Sequence, residues 1–309
     1  MIKQKNGQME FGWLFSLIIG AVIIFLAIFF AGKIFTTGTH LSDVETLRTF
    51  DILLNPFSSV GSIASLTLSK SIEMPYNTEL NLSCFPSGTQ EGQRLSLRTI
   101  DKKTTGDWVS YNIKNKYIFG NTSIQGKTFW TFSKPFEFPW RVDDLIYIIS
   151  ENYCFIDNGM PSSIKKELSM INASVIQIVS NQDDCEEAIT VCFSGCSGQD
   201  VIVNYGDQTV AKDRQHTMIF ADDASMYAAI FSNNQLYNCN IQRLLTRLQG
   251  QIGIYKAWAM ELNREGCENQ LLIDRLNAFN AGTSLNPYII SRAGSVKEAD
   301  SYNCPIIQK

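Results

Sequence analysis

The chain has 309 residues, a length that allows two domains or one large one. Hydrophobic residues make up 45%, which excludes a disordered or collagen-like chain, while a charged share of only 18% means that part of it need not face water. The net charge of −4, from 26 Lys+Arg against 30 Asp+Glu, lacks the basic excess that nucleic-acid binding needs, and two histidines, His40 and His216, leave little material for histidine catalysis.

From Phe11 to Gly32 the chain carries no charge, and Ser16 is its one clearly polar side chain. At ~1.5 Å per residue this run covers the ~30 Å hydrocarbon core. The sequence therefore predicts a cytoplasmic tail at 1–10 and a single transmembrane helix at 11–35, with the lipid bilayer as a partner. Lys3 and Lys5 before the run, against Lys33 after it, give a modest positive-inside bias towards a cytoplasmic N-terminus. The run exceeds a signal-peptide core, and Gly32-Lys33-Ile34-Phe35 is a poor cleavage site, which favours a retained signal-anchor. Gly12, Ser16, Gly20, Ala27 and Ala31 fall on one stripe of the helix, a packing face for self-association.

Lys5-Asn6-Gly7-Gln8-Met9-Glu10-Phe11, directly before the apolar run, resembles the start of uncharacterised archaeal single-span envelope proteins that begin "KxGQM". It is also similar to the class III signal of archaeal type IV pilins. That second resemblance implies cleavage between Gly7 and Gln8, after which the apolar helix becomes the packing core of a filament. Glu10 would then be the third mature residue, where pilin-like N-termini carry Glu at the fifth.

All eight cysteines lie beyond the run: Cys84, Cys154, Cys185, Cys192, Cys196, Cys239, Cys267 and Cys304. An even number confined to one side is the pattern of disulfides in an oxidising compartment. The competing chemistry is zinc, for which Cys192 and Cys196 have a ligand spacing, with Cys185 and His216 nearby. Disulfides are favoured, and no metal or other cofactor is expected. The sequons at Asn81, Asn121 and Asn172 are glycosylation candidates that agree with an ectodomain outside the cytoplasm.

The ectodomain reads as α+β. A juxtamembrane helical and linker region at 36–78 begins with a capping box, Ser42 to Glu45, that opens an amphipathic helix to about Leu54. A β-rich region at 79–150 follows, with alternation at Leu80, Leu82 and Cys84, a hairpin of Trp108–Ile113 with Tyr117–Phe119, and strands at Phe129–Phe132 and Leu145–Ile149. Pro135 and Pro139 are expected to interrupt any strand between the last two. Its aromatic concentration, with Trp108, Trp130 and Trp140 prominent, is read first as sheet core and second as a glycan platform.

Residues 151–309 read as an α+β region. Strands are expected at Tyr153–Ile156, Val175–Val179, Ala188–Phe193, Val201–Tyr205 and Thr217–Ala221, with a helix at Ser163–Ile171 behind Pro161. Asp222 to Ser225 reads as a turn into a last strand, Met226–Phe231. A capping box at Ser232–Gln235 then opens a long helix that reaches Gly266, with Gly250 and Gly253 weakening its middle. A short helix at Gln270–Phe279 folds back on it, and Cys239, Cys267 and Cys304 are placed to tie down the C-terminal tail.

No catalytic residue is assigned. Ser194 to Gly198 only resembles a nucleophile elbow, and Walker A, dinucleotide-binding and zincin motifs are absent. The acidic pairs Asp143-Asp144, Asp183-Asp184 and Asp222-Asp223 read as turn or cap residues before a calcium site. The expected function is a membrane-anchored, disulfide-stabilised ectodomain with a structural or recognition role at the cell envelope, with no nucleic-acid partner. The alternatives are a pilin-like subunit and an exported hydrolase with an unfamiliar site.

Overall fold

The computed structural model describes residues 17–30, 70–86, 91–100, 106–171, 173–193, 198–212, 216–301 and 306. Gly7, Gln8, Gly12, Ser16, Ala31, the helix expected from Ser42, Asn172, Cys196 and Cys304 lie outside the described residues.

Residues 17–30 form helix α1, which contains Gly20 and Ala27. Among the described residues no helix is long and apolar enough to cross a membrane, which overturns the transmembrane helix expected over 11–35. The described helix has fourteen residues, ~21 Å at 1.5 Å per residue, against a ~30 Å hydrocarbon core. Its apolar side chains are exposed, Phe25 at 67% and Ile28 at 68%.

Six strands build the first sheet: β1 (Lys70–Phe85), β2 (Gly92–Thr99), β3 (Val109–Ile113), β4 (Tyr117–Phe119), β5 (Ser123–Glu137) and β6 (Arg141–Ile149), in the order β3-β2-β1-β5-β6-β4. Strand β1 begins well before the expected boundary at 79. Its ladder with β5 breaks between Glu73 and Thr78, and Pro75 sits in that irregularity, where a missing N–H costs no ladder bond. Pro135 does not interrupt β5. It lies opposite Asp144 of β6, beyond Thr131 where the β1 ladder ends, so no β1 carbonyl needs its N–H. Pro139 does fall in the turn to β6, after a cis peptide bond.

The expected hairpin between β3 and β4 is not formed. β3 pairs with β2 and β4 runs parallel to β6. Burial explains the separation, because Tyr117, Ile118 and Phe119 are all buried whereas only Ile113 of β3 is. A strand apolar on both faces needs cover that a solvated edge strand cannot give. Gln93 of β2 supplies part of that cover. Its Nε2 donates to the Ile118 carbonyl and its Oε1 accepts from the Ile118 N–H, both at 2.7 Å. The sheet thus curls towards itself around Leu80, Leu82, Leu95, Leu97, Ile118 and Ile146, and Leu236 joins this core from a later helix.

The second sheet holds β7 (Tyr153–Ile156), β8 (Ile176–Val179), β9 (Ile189–Phe193), β10 (Val201–Asn204), β11 (Thr209–Lys212) and β12 (His216–Ile219), in the order β12-β11-β10-β9-β7-β8. Strands β8, β7, β9 and β10 are parallel, with helix α2 (Ser162–Met170) crossing from β7 to β8. β11 was not expected from the sequence, and it forms an antiparallel meander with β10 and β12.

The last expected strand, Met226–Phe231, is helix α3 (Asp223–Phe231). Every residue from Ala224 to Phe231 is buried, so no polar face marks the helical period. What starts it is Asp222, whose side chain accepts from Ser225 N while Ser225 Oγ accepts from Asp222 N, a reciprocal capping box. α3 is wedged between the sheets, and the Phe231 ring meets Phe132 of the first at 5.3 Å and Tyr153 of the second at 4.8 Å.

Helix α4 (Asn234–Arg264) is continuous through Gly250 and Gly253, and Gly266 follows it at φ +97°, a backbone only glycine adopts freely. α5 (Gln270–Ala278) matches expectation, whereas α6 (Pro287–Asp300) was missed despite Asn286 capping Ile289 N and Pro287 at the first turn.

Candidate functional site: a polar cleft between the sheets

Three separate parts of the chain converge on one cleft. The first is the Gly120–Thr122 turn leaving β4. Gly120 is forced, since a Cβ there would stand 2.7 Å from the Ile148 carbonyl oxygen. That close approach sets Asn121 at the rim, with its Nδ2 donating to Glu151 Oε2 at 2.6 Å. The second is the free edge of the second sheet, where Lys212 of β11 lies directly opposite His216 of β12. Lys212 Nζ donates to the Ser232 carbonyl at 2.6 Å, which holds the ammonium against the cleft wall. The third is the start of α4. The cap there is Asn233 rather than the expected Ser232: its Oδ1 accepts from Leu236 N at 2.8 Å, and its Nδ2 donates to Thr122 Oγ1. Ser232 instead closes α3, and its buried hydroxyl has no hydrogen-bond partner.

The cleft has a volume of about 390 Å³ and is lined by Asn121, Lys212, His216, Met218, Asn233, Asn234 and Gln235. That size suits a small molecule. None of these residues is acidic, Met218 is buried and supplies an apolar wall, and His216 and Gln235 are exposed. Four amides offer paired donors and acceptors, and one ammonium supplies charge.

The residues singled out in sequence go elsewhere. Cys84 bonds Cys239 and Cys154 bonds Cys185, with Cα separations of 6.0 and 5.7 Å. Cys192 and Cys267 are also disulfide-bonded, and no cysteine among the described residues is free. Cys239 therefore ties α4 to β1, not to the C-terminal tail, because Asn240 and Arg243 on the same helix dock against β4. Asn240 Nδ2 donates to the Ile118 carbonyl at 2.9 Å, and Arg243 donates to the Lys114 carbonyl at 2.6 Å while lying over the Tyr117 ring. Cys185, a member of the alternative zinc set, has its sulfur spent on Cys154. No group of three potential ligands occurs among the described residues.

The aromatic concentration is chiefly core: Tyr117, Phe119, Phe129, Phe132, Phe136, Phe138 and Trp140 are buried, and Trp140 Nε1 donates to Gln251 at 2.8 Å. Trp108, at 42% exposure just before β3, stacks under the Arg98 guanidinium. Asn81 lies within β1, and of the described sequons only Asn121 reaches the cleft.

The acidic pairs are engaged structurally. Asp143 meets Arg247 at 3.1 Å and Asp144 meets Arg141 at 2.7 Å, and Asp183-Asp184 form a single helical turn. Asp222 caps α3 and accepts from Glu137 N at 2.9 Å, while Asp223 accepts from the Tyr205 hydroxyl at 2.8 Å. Nearby, Lys134 pairs with Glu167 at 2.5 Å in a largely buried bridge that Tyr227 joins. Burial pushes the Asp222 carboxyl up to about 6, against the hydrogen bonds from Ser225 and Glu137 that favour its ionised form.

The cleft was missed because its members are far apart in sequence and belong to no spaced motif. The one local signal was the Asn-rich start of α4, which served there only as a cap. No known family, no curated protein and no solved structure matches this chain.

Proposed function

We propose that this chain is an extracytoplasmic, disulfide-stabilised α+β domain with a recognition role at the cell envelope. The observation that carries the reading is the pair of cross-links, Cys84–Cys239 and Cys154–Cys185, since such bonds persist in oxidising compartments. Cys84–Cys239 staples the curled first sheet to the longest helix, and Cys154–Cys185 staples β7 to the turn after β8. The pre-set polar walls of the cleft favour binding over chemistry. Among the described residues its lining holds a histidine but no carboxylate or cysteine beside it. Protease digestion of intact cells tests the location. Loss of the domain from intact cells supports the reading, whereas its survival until the cells are lysed would place it inside.

A second reading, a filament subunit cut between Gly7 and Gln8, is favoured by α1. Its exposed apolar side chains match a helix covered by copies of itself. An N-terminal mass beginning at Gln8, in material that pellets as filaments, is its expected signature; an intact Met1 contradicts it.

A further inference from the structure

One face of α4 changes its surroundings halfway along the helix. Leu236, Asn240 and Arg243 recur at alternating spacings of four and three and are buried against the first sheet. The same alternation runs on through Arg247, Gly250, Ile254, Ala257 and Glu261, so at ~100° per residue they continue that face. Each of these is exposed. Ile254 is 54% exposed and Trp258, on its flank, 56%. A Cβ placed on Gly250 or Gly253 would meet no atom within 4 Å, so the face carries large apolar knobs beside open gaps. Arg247 meets Asp143 and Glu261 meets Arg264, yet their side chains stay 45% and 63% exposed. An exposed apolar surface rimmed by charge marks an interaction site.

We propose that this face pairs with the same face of a second copy of the chain, as antiparallel helices related by a two-fold axis at Ile254. In such a contact residue i meets residue j and j meets i. Arg247 and Glu261 lie seven residues to either side of Ile254, so the arginine of each copy falls level with the glutamate of the other, giving two ion pairs of opposite sign. Gly250 and Trp258 lie four residues to either side, so each indole falls level with a position that has no side chain. Large against small is what close packing of two helices needs. A parallel pair in register would set Arg247 against Arg247 and leave the gaps unfilled. The helix also ends in the right place. The antiparallel pair sets Arg243 of one copy level with Glu265 of the other, the cap of α4, so each helix stops where the other copy's first sheet begins. The shared stretch, 247–261, is ~21 Å long. The pairing depends on this face alone and on neither reading of the cell envelope.

The test is sedimentation velocity on the full, oxidised chain in mild detergent, which covers the exposed apolar side chains of α1. One helix pair is a small contact, so a dimer with a dissociation constant of about 1–100 μM is expected. Trp258→Ala should weaken it about thirtyfold, as loss of a central aromatic on both copies. Arg247→Glu and Glu261→Arg should each weaken it about tenfold, because like charges then meet at both symmetric contacts. Mixing these two charge variants should restore affinity to within about threefold of wild type, since one chain is then acidic at both positions and the other basic at both. Mixing cannot repair a fold damaged by losing the Asp143 contact, so restoration separates an interface effect from a structural one. A chain that stays monomeric to about 100 μM overturns the proposal. So does a dimer that none of the three variants weakens, which would be joined elsewhere. Weakening by both charge variants without restoration on mixing overturns the antiparallel pairing.

Discussion

Gln93 and Ile118 are joined by two hydrogen bonds of 2.7 Å, in which a side-chain amide does for β4 what a neighbouring backbone does inside a sheet. Strand β4 has three residues and, among the described residues, pairs with β6 alone, so one of its flanks has no ladder there. Gln93, 2% exposed, satisfies that flank and lets the sheet curl over its core. Gln93→Leu would orphan a buried N–H and relieve the carbonyl only partly, through Asn240. The expected loss is about 2–4 kcal/mol in urea unfolding, whereas Ser96→Ala on the exposed face should stay within about 0.5 kcal/mol. Equal effects from the two would show that the amide bridge contributes little.

The two cross-links differ in the length of chain they close. Cys84 and Cys239 are 155 residues apart and Cys154 and Cys185 are 31 apart. On the chain-entropy account these loops correspond to about 5 and about 4 kcal/mol. The paired variant Cys84→Ala/Cys239→Ala is therefore expected to melt below Cys154→Ala/Cys185→Ala. The same order follows from packing, since Cys239 sits beside Asn240 and Arg243, which lock α4 to β4. The reverse order in thermal unfolding would mean that α4 is held by its apolar face alone.

Asp222 makes stability depend on pH. Its folded pKa, about 6, lies above the ordinary aspartate value, so the folded state binds its proton more tightly than the unfolded chain does. The stabilisation is complete below the unfolded value, near pH ~4, and is lost as pH rises through the folded value. Asp222→Asn keeps a good capping side chain and removes the titration. Wild type should therefore gain melting temperature relative to Asp222→Asn as pH falls from 7 to 5. Parallel curves for the two would place the carboxyl in contact with water.

Much of the second half was legible in the sequence. β7, α2, β8, β9, β10, α4 and α5 carry either an apolar run bounded by turn residues or a 3.6-residue stripe, and the structure places each within a few residues of its expected bounds. α3 was not legible, because a helix buried on every side has no polar face and its β-like apolar run reads as a strand. The Asp222-to-Ser225 spacing was a capping signal, yet it read as a turn. Which strands pair was equally hidden. β3 and β4 are neighbours in sequence and go to opposite ends of one sheet, for reasons of burial that only the assembled helices supply. Of the uncharged run at 11–32, the described part, 17–30, is helical as expected. The cleft lay furthest from view, because Asn121, Lys212 and Gln235 meet only once both sheets and α4 are in place.

The most direct measurement is intact mass spectrometry on protein taken from its native cells into acid, then alkylated with and without reduction. An extracytoplasmic, disulfide-stabilised domain should take no alkyl group before reduction and eight after it, one for each cysteine. Alkylation of Cys84, Cys239, Cys154 or Cys185 before reduction would contradict the account, returning the chain to a reducing compartment.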